Sequence, residues 1–365
     1  VRMRIKAHGA ILYDGLYVRG GAEQVTLHLA ADLDADLVCG FRDTAVFPDS
    51  LLPTGRTRVL GRSAHHPVAR TLAGLFYFRH RTGFLRDYDW VVYSGVTAAV
   101  AAHHHSEGRN VYYCHTPPRF VYDLRDHYLQ SLPGWQRPLL RALIGLLQPR
   151  YESAIGLMDT IVANSENVRS RVQRYLGRDA MVVYPPCDTR GYRWLADGHY
   201  FLSTARLEPY KRVDLILDAF LKLPSQRLIV ASGGSDERRL RQIARGAKNL
   251  DFVGWQSAER LRELVGRARA TIYVPRDEDF GMSPVESMAA GKPVIGVSEG
   301  GLLETVRDRE TGLLLPRDPD CQGLVEAVLH MRADRARAMR LACEERAQLF
   351  SQDTFRQRMR QIVCA

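Results

Sequence analysis

Four charged side chains have the types and spacing to grip a phosphorylated, hydroxyl-rich ligand. Glu278 and Glu286 stand eight positions apart in Asp277-Glu278-Asp279-Phe280-Gly281-Met282-Ser283-Pro284-Val285-Glu286. Ionised carboxylates accept strong hydrogen bonds from hydroxyls, so such a pair can hold a polyhydroxylated ligand at two separated points. Arg206 and Lys211 bracket the turn Arg206-Leu207-Glu208-Pro209-Tyr210-Lys211. A fork donor and a compact ammonium complement the two negative charges of a diphosphate. Phe280, Gly281, Met282 and Ser283 add backbone N–H groups at a helix start, a ready anion site, and Gly281 lets the backbone come close.

These groups need particular elements to aim them. Ala270 to Val274 reads as a buried strand; Ser283 reads as a helix N-cap with Pro284 at the first helical position, which puts Glu278 in a loop and Glu286 in the first turn of a helix. Residues 200–205 read as a strand leading through the Arg206–Lys211 turn into a helix over 211–222. The other strand candidates are 2–7, 36–41, 89–93, 109–114, 159–163 and 180–184 in the first half, and 227–232, 250–253, 293–297 and 312–315 in the second. Helical patterns lie between them, among them 21–33, 95–106, 149–158, 284–290 and 352–363. Such alternation is the pattern of parallel sheets with crossover helices, an α/β class in which ligands bind beyond the carboxyl ends of strands.

A chain of 365 residues exceeds what one core serves, so two domains are expected. Paired prolines at Tyr184-Pro185-Pro186-Cys187 cannot continue a helix or strand and mark the linker. The expected division is 1–185, 186–350 and a terminal helix in 351–365. Hydrophobic content of 45% and charged content of 25% are those of a globular protein. No apolar run approaches the roughly 18 residues of a membrane helix. Six cysteines without CxxC spacing read as free thiols in a reducing cytosol, and no export signal is recognisable, so the expected location is cytoplasmic. The net charge of +10 suits nucleic acid, anionic lipid or a phosphorylated substrate, and no nucleic-acid module accompanies it. Lys211 is one of five lysines against 46 arginines.

These segments resemble the donor site of the retaining GT-B glycosyltransferases of family four, the glycosyl transferases group 1. The resemblance extends over most of the chain. It implies two Rossmann-like domains facing across a cleft, with the last helix returning to the first domain. It implies that Glu278 contacts the transferred sugar, that Glu286 holds the ribose, and that Arg206 and Lys211 hold the diphosphate in place of a metal. Gly20 and Gly21, before helix 21–33, match the loop that approaches the donor phosphate. Gly233, in Ser232-Gly233-Gly234, matches a turn beside the nucleotide, and Trp255, after Gly254, lies where the family contacts the base. Glycine after a strand is common, so these last two matches are weakly specific. His115 resembles the histidine placed beside the donor sugar, in a positioning role. His115-Thr116-Pro117-Pro118-Arg119 is similar to a bacterial subgroup of mannosyl and related transferases of cell-surface polysaccharide assembly, with Arg119 and Tyr122 on the acceptor side.

The implied activity is retaining hexosyl transfer, mannose from GDP-mannose favoured, to a glycan or polyprenyl-diphosphate-linked acceptor, with no cofactor and no metal. Rivals are a UDP- or dTDP-sugar donor, an epimerase or disaccharide synthase of the same fold, and a catalytically silent carbohydrate-binding subunit. Arg and aromatic residues around Phe76–Arg81 and Trp135–Leu147 suit either charged core helices or a peripheral contact with the inner face of the cytoplasmic membrane. Asp277-Glu278-Asp279 mimics a metal motif of another glycosyltransferase fold. Adjacent His103, His104 and His105 point different ways on a helix, so neither reads as a metal site. Gly300-Gly301 reads as a structural turn, Asn164-Ser165 as a helix start, and Lys292 as a surface residue.

Overall fold

The computed structural model describes residues 8–18, 20–53, 56–64 and 66–364. The chain divides into two compact units, one running to Tyr184 and taking in Phe355 onward, the other Pro185–Thr354.

In the first unit the strands are β1 (Gly9–Tyr13), β2 (Asp36–Cys39), β3 (Thr57–Val59), β4 (Trp90–Tyr93), β5 (Arg109–Cys114), β6 (Thr160–Ala163) and β7 (Met181–Val182). All pair in parallel, in the order β3-β2-β1-β4-β5-β6-β7. β1 and β4 are buried throughout because helices cover both faces, which is why they read as unbroken apolar runs. Leu12, Tyr93, Tyr112 and Tyr151 pack on one face; Ile11, Val92, Val111 and Val162 pack on the other. The second face is closed by Phe355, Met359, Ile362 and Val363 of the helix Gln352–Cys364, whose spacing lines one helical stripe.

The second unit has β8 (Tyr200–Ser203), β9 (Arg227–Val230), β10 (Leu250–Phe252), β11 (Ala270–Ile272), β12 (Val294–Val297) and β13 (Gly312–Leu315). These form a parallel sheet in the order β10-β9-β8-β11-β12-β13. In both sheets the strand order therefore reverses at an equivalent place, between β1 and β4 and between β8 and β11, where diverging loops open a crevice at the carboxyl edge.

Several expectations need correction. The strand expected at 2–7 lies outside the described residues. The 95–106 segment is a 3-10 helix over Ala98–His104 rather than an α-helix. Asp14, just after β1, explains it: its carboxylate accepts from Val96 N at 2.9 Å, Ala98 N at 2.7 Å and Thr97 Oγ1 at 2.8 Å, drawing the start of the segment tight. The helix expected from 149 runs over Arg137–Gly156 with Pro149 inside it, β3 was not foreseen, and the helix suggested around Phe76–Arg81 begins at Pro67 and ends at His80. The helix after Lys211 is Val213–Leu221, because Arg212 adopts a left-handed conformation (φ 52°) behind the 3-10 turn Pro209–Lys211. Ser283 is not an N-cap: the next helix is Met282–Ala289, entered through Gly281 at φ 93°, which moves Glu286 out of the first turn. Lys292 is fully buried, not a surface residue.

Candidate active site

The loops after β8 and β11 leave neighbouring strands at the second unit's crevice and are stitched together. Arg276 N donates to Tyr210 O at 2.8 Å. The Arg212 guanidinium donates to Val274 O at 2.6 Å and Pro275 O at 2.9 Å. That scaffold brings Lys211 and Glu278 together. Lys211 Nζ donates to Tyr273 Oη at 2.9 Å and to the Glu278 carboxylate. Burial alone would discharge the ammonium, but Tyr273 and Glu278 outweigh it and hold the Lys211 pKa above the ordinary lysine range. The Tyr273 phenol, buried and beside Glu278, is pushed up and stays protonated. The result is a fixed cation that does not titrate near neutrality, with a carboxylate against it and little exposure for either (7% and 17%).

Arg206 stands exposed at the mouth of the same loop, its Nη2 3.5 Å from Tyr210 Oη. Leu207 N donates to Gly233 O at 3.0 Å, and a Cβ on Gly233 would lie 2.5 Å from Trp255 Nε1, so Gly233 seats the exposed Trp255 beside this loop. Phe280 is buried and meets Phe350 edge-on at 5.5 Å, leaving only its backbone for a ligand; Met282 and Ser283 are half-buried in the first turn after Gly281. A Cβ on Gly301 would lie 2.4 Å from Phe280 Cα and 2.7 Å from Asp279 O, so Gly301 buttresses the Glu278 loop.

Glu286 occupies a separate cluster. It is half-buried beside Tyr192 and Arg262, whose influence lowers its pKa, but burial outweighs them and pushes its carboxyl up to about 7. Arg262 Nη2 pairs with Asp188 Oδ2 at 2.6 Å. Lys292, by contrast, is structural: Nζ donates to Ala196 O at 2.6 Å and lies 3.2 Å from the Trp194 ring centroid, with burial lowering its pKa to about 7.

The first unit holds the remaining candidates around the end of β1. Gly20 caps the helix Gly21–Leu33 in an extended conformation, and a Cβ there would lie 2.7 Å from Glu23 Oε2. Tyr13 Oη donates to Glu23 Oε1 at 3.0 Å. His115, after β5, has Nε2 2.8 Å from Ser94 Oγ, and burial lowers its pKa to about 4, which keeps the imidazole neutral. Arg119 donates Nε and Nη2 to Asp123 Oδ2 at 2.9 and 2.7 Å. Tyr122 donates to Glu152 Oε1 at 3.0 Å and stacks on Tyr175. Arg119 and Tyr122 are thus each engaged by a neighbouring carboxylate. Thr116 accepts from the buried Arg171 at 3.0 Å. Nothing in the spacing pointed to Tyr273, Tyr192, Arg262, Arg212, Thr26 or Ser94; each reads in sequence as an ordinary strand-end or helix residue. Among the described residues no group of three or more His, Cys, Asp or Glu side chains could hold a metal; His104 and His105 instead contact the Arg79 and Tyr88 carbonyls.

Two Rossmann-type parallel sheets, each with a switch-point crevice, define the GT-B class of sugar-nucleotide enzymes. The chain belongs to the family-four glycosyltransferases: "Glycosyltransferase Family 4" matches residues 19–190 and "Glycosyl transferases group 1" matches 191–350. The alpha-1,3/1,6-mannosyltransferase ALG2 of Rhizomucor pusillus is 27% identical over 58% of this chain and 56% of its own length. ALG2 of Dictyostelium discoideum is 26% identical over 68% of this chain and 67% of its own. A D-inositol 3-phosphate glycosyltransferase of Mycobacteroides abscessus is 35% identical, over 33% of this chain and 29% of its own. The chain thus spans between about half and two thirds of the length of the ALG2 relatives it matches. Anabaena HepE, solved with UDP and glucose, shares the fold at TM-score 0.76 and 18% identity, covering 98% of this chain and 99% of its own. Sucrose-phosphate synthase of Thermosynechococcus elongatus does so at TM-score 0.74 and 19% identity, covering 97% and 98%. No described helix is long and apolar enough to cross a membrane.

Proposed function

We propose that this chain transfers mannose from GDP-mannose, with retention, to a hydroxyl of a glycan or polyprenyl-diphosphate-linked acceptor in surface-glycan assembly. One observation carries the reading: a buried ammonium, Lys211, fixed by Tyr273 and Glu278 where two strands diverge. Mannosyl and GDP-mannose are favoured because relatives at 24–27% identity are named mannosyltransferases, one of them a GDP-Man-dependent enzyme of Homo sapiens. In this reading residues 1–185 carry the acceptor side and 186–350 the donor side, with 351–365 returning to the first unit. Arg206 and Lys211 bind the diphosphate and stabilise it as the bond from the sugar's anomeric carbon to its phosphate oxygen breaks. Glu278 orients the sugar hydroxyls and Glu286 the ribose; Gly20, Gly21, Phe280 to Ser283, Gly233 and Trp255 shape the nucleotide site. The acceptor oxygen bonds to the anomeric carbon on the face the phosphate leaves, and its proton passes to the departing diphosphate. His115 is neutral and positions rather than transfers a proton. Arg119 and Tyr122 shape the acceptor side. No metal is needed, since Lys211 and Arg206 supply the positive charge and Lys211 already engages Glu278. Thermal shift against GDP-mannose, UDP-, ADP- and dTDP-sugars tests the donor: stabilisation by GDP-mannose above the others is expected, and preference for another nucleotide refutes the assignment.

A cytoplasmic protein held peripherally at an anionic membrane fits the same acceptor. Phe76 and Trp135 are 53% and 77% exposed, and Leu72, Leu139 and Leu146 add apolar surface beside Arg79 and Arg141. Arg81 donates to Leu60 O at 2.6 Å, so the test is charge reversal at Arg79 and Arg141. Loss of binding to anionic liposomes is expected; unchanged binding refutes the contact.

A further inference from the structure

Three hydrogen-bond contacts run in series through the first unit's crevice and end on a group that can only accept. His115 Nε2 lies 2.8 Å from Ser94 Oγ, Ser94 Oγ lies 3.3 Å from Thr26 Oγ1, and Thr26 Oγ1 lies 2.9 Å from the Ala22 carbonyl oxygen. Each residue comes from a different element: His115 follows β5, Ser94 follows β4, and Thr26 lies on the helix Gly21–Leu33 with Ala22 one turn before it. Ser94 and Thr26 are both fully buried, so neither hydroxyl can turn to water instead.

Each contact needs one proton, and each hydroxyl has one to give. The carbonyl gives none, so the Thr26 proton must go to Ala22 O. Thr26 Oγ1 then accepts, and the Ser94 proton must go to it. Ser94 Oγ then accepts in turn, and the only remaining proton for the third contact is one on His115 Nε2. The reverse direction would leave two oxygens facing each other without a proton between them. A neutral imidazole carries a single N–H, and its partner fixes which nitrogen has it. We infer that Thr26 and Ser94 are positioning residues that set His115 as the Nε2–H tautomer, so that Nδ1 presents a lone pair to the ligand.

The ligand group that fits is therefore a hydrogen-bond donor. Under the mannosyl-transfer reading, on which only the identity of the ligand rests, that group is a sugar hydroxyl. Burial keeps the ring neutral, with a pKa lowered to about 4, so Nδ1 remains an acceptor across the working pH range. Fluorine in place of that hydroxyl cannot donate, and the site rejects it.

Long-range ¹H–¹⁵N spectra of the full chain with ¹⁵N-histidine, His115 being assigned from its absence in His115→Gln, read the tautomer directly. The Nε2–H form is expected in the wild type at pH 7. Ser94→Ala and Thr26→Val should each give a mixture of tautomers, and Thr26→Ser should restore the single form. An Nδ1–H or doubly protonated ring in the wild type overturns the proposal, as does a spectrum that neither Ser94→Ala nor Thr26→Val alters. A panel of donor sugars with single hydroxyls replaced by fluorine adds the ligand. One analogue should lose roughly 10- to 100-fold in kcat/KM on the wild type, and far less on Ser94→Ala; equal losses on both overturn the acceptor role. An inactive enzyme with the Nε2–H spectrum intact removes the mannosyl-transfer reading and leaves the relay standing.

Discussion

Lys211 shows how a side chain is made useful by what surrounds it. Its charge is secured by Tyr273 and Glu278, so replacing it removes a preorganised cation and leaves the Glu278 carboxylate without its counter-ion; under the proposed role that carboxylate would then oppose the donor diphosphate. Lys211→Ala should lower kcat by roughly 100- to 1000-fold, with donor binding weakened less; near-normal turnover in steady-state assays contradicts the role. Tyr273→Phe keeps the ring and removes one hydrogen bond to the ammonium, so a smaller fall in kcat of about tenfold follows. Glu286 behaves differently. Its pKa of about 7 leaves it partly protonated at neutral pH, and under its proposed role at the ribose the ionised form accepts the stronger hydrogen bonds. Nucleotide affinity should rise as pH increases through about 7. Isothermal titration between pH 6 and 8 checks this: the dependence should vanish in Glu286→Gln, and persistence there assigns it elsewhere. The same raised pKa means that Glu286 contributes stability below the ordinary carboxylate range, which is lost as pH rises through about 7.

At the scale of elements, the loop that carries Glu278 is held by glycines rather than by side-chain contacts alone. Gly281 turns the chain at φ 93°, and Gly301 lies where any Cβ would strike Phe280 and Asp279. Gly301 has an ordinary φ of −64°, so its constraint is steric alone. Gly301→Ala should displace the loop and cost about 1–3 kcal/mol, read as a lower urea midpoint together with reduced kcat. Unchanged stability and activity would mean that the loop yields freely. The sequence made this loop legible in part. Glu278, Glu286, Arg206 and Lys211 stood out because charged residues at fixed spacing around a strand end are unusual outside binding sites. Tyr273 and Tyr192 did not, because an aromatic residue at a strand end or in a linker looks like packing whether or not its hydroxyl has work. Helix starts were misjudged by two residues at Ser283 and Lys211 for one reason: Gly281 and Arg212 enter their helices through left-handed backbone, which residue preferences reveal poorly at an arginine. Lys292 was misread because a lysine is almost never fully buried, and the Trp194 ring that covers it is remote in sequence.

At the scale of the whole molecule, alternating strands and helices disclosed two parallel sheets, since a buried parallel strand needs little besides an apolar run. The place of the last helix was implied by the family resemblance and not by its own apolar pattern, because that helix follows the second unit in sequence. Phe355, Met359, Ile362 and Val363 are buried against Ile11, Val92 and Val111. Burying each such side chain is worth roughly 1.5–3 kcal/mol, so together they approach the whole stability of a domain, about 5–15 kcal/mol. Removing residues 355–365 should therefore unfold the first unit, while the second keeps a core of its own built on Phe201, Phe220, Ile272 and Val285. Hydrogen exchange separates the two outcomes: protection should be lost over β1 to β6 and kept over β8 to β12. Phe355→Ala is the gentler version, costing about 3–5 kcal/mol through the cavity it leaves. If both variants leave β1 and β4 fully protected, the sheet is held by its other face, the one built on Leu12, Tyr93 and Tyr112, and the terminal helix is an accessory to the fold.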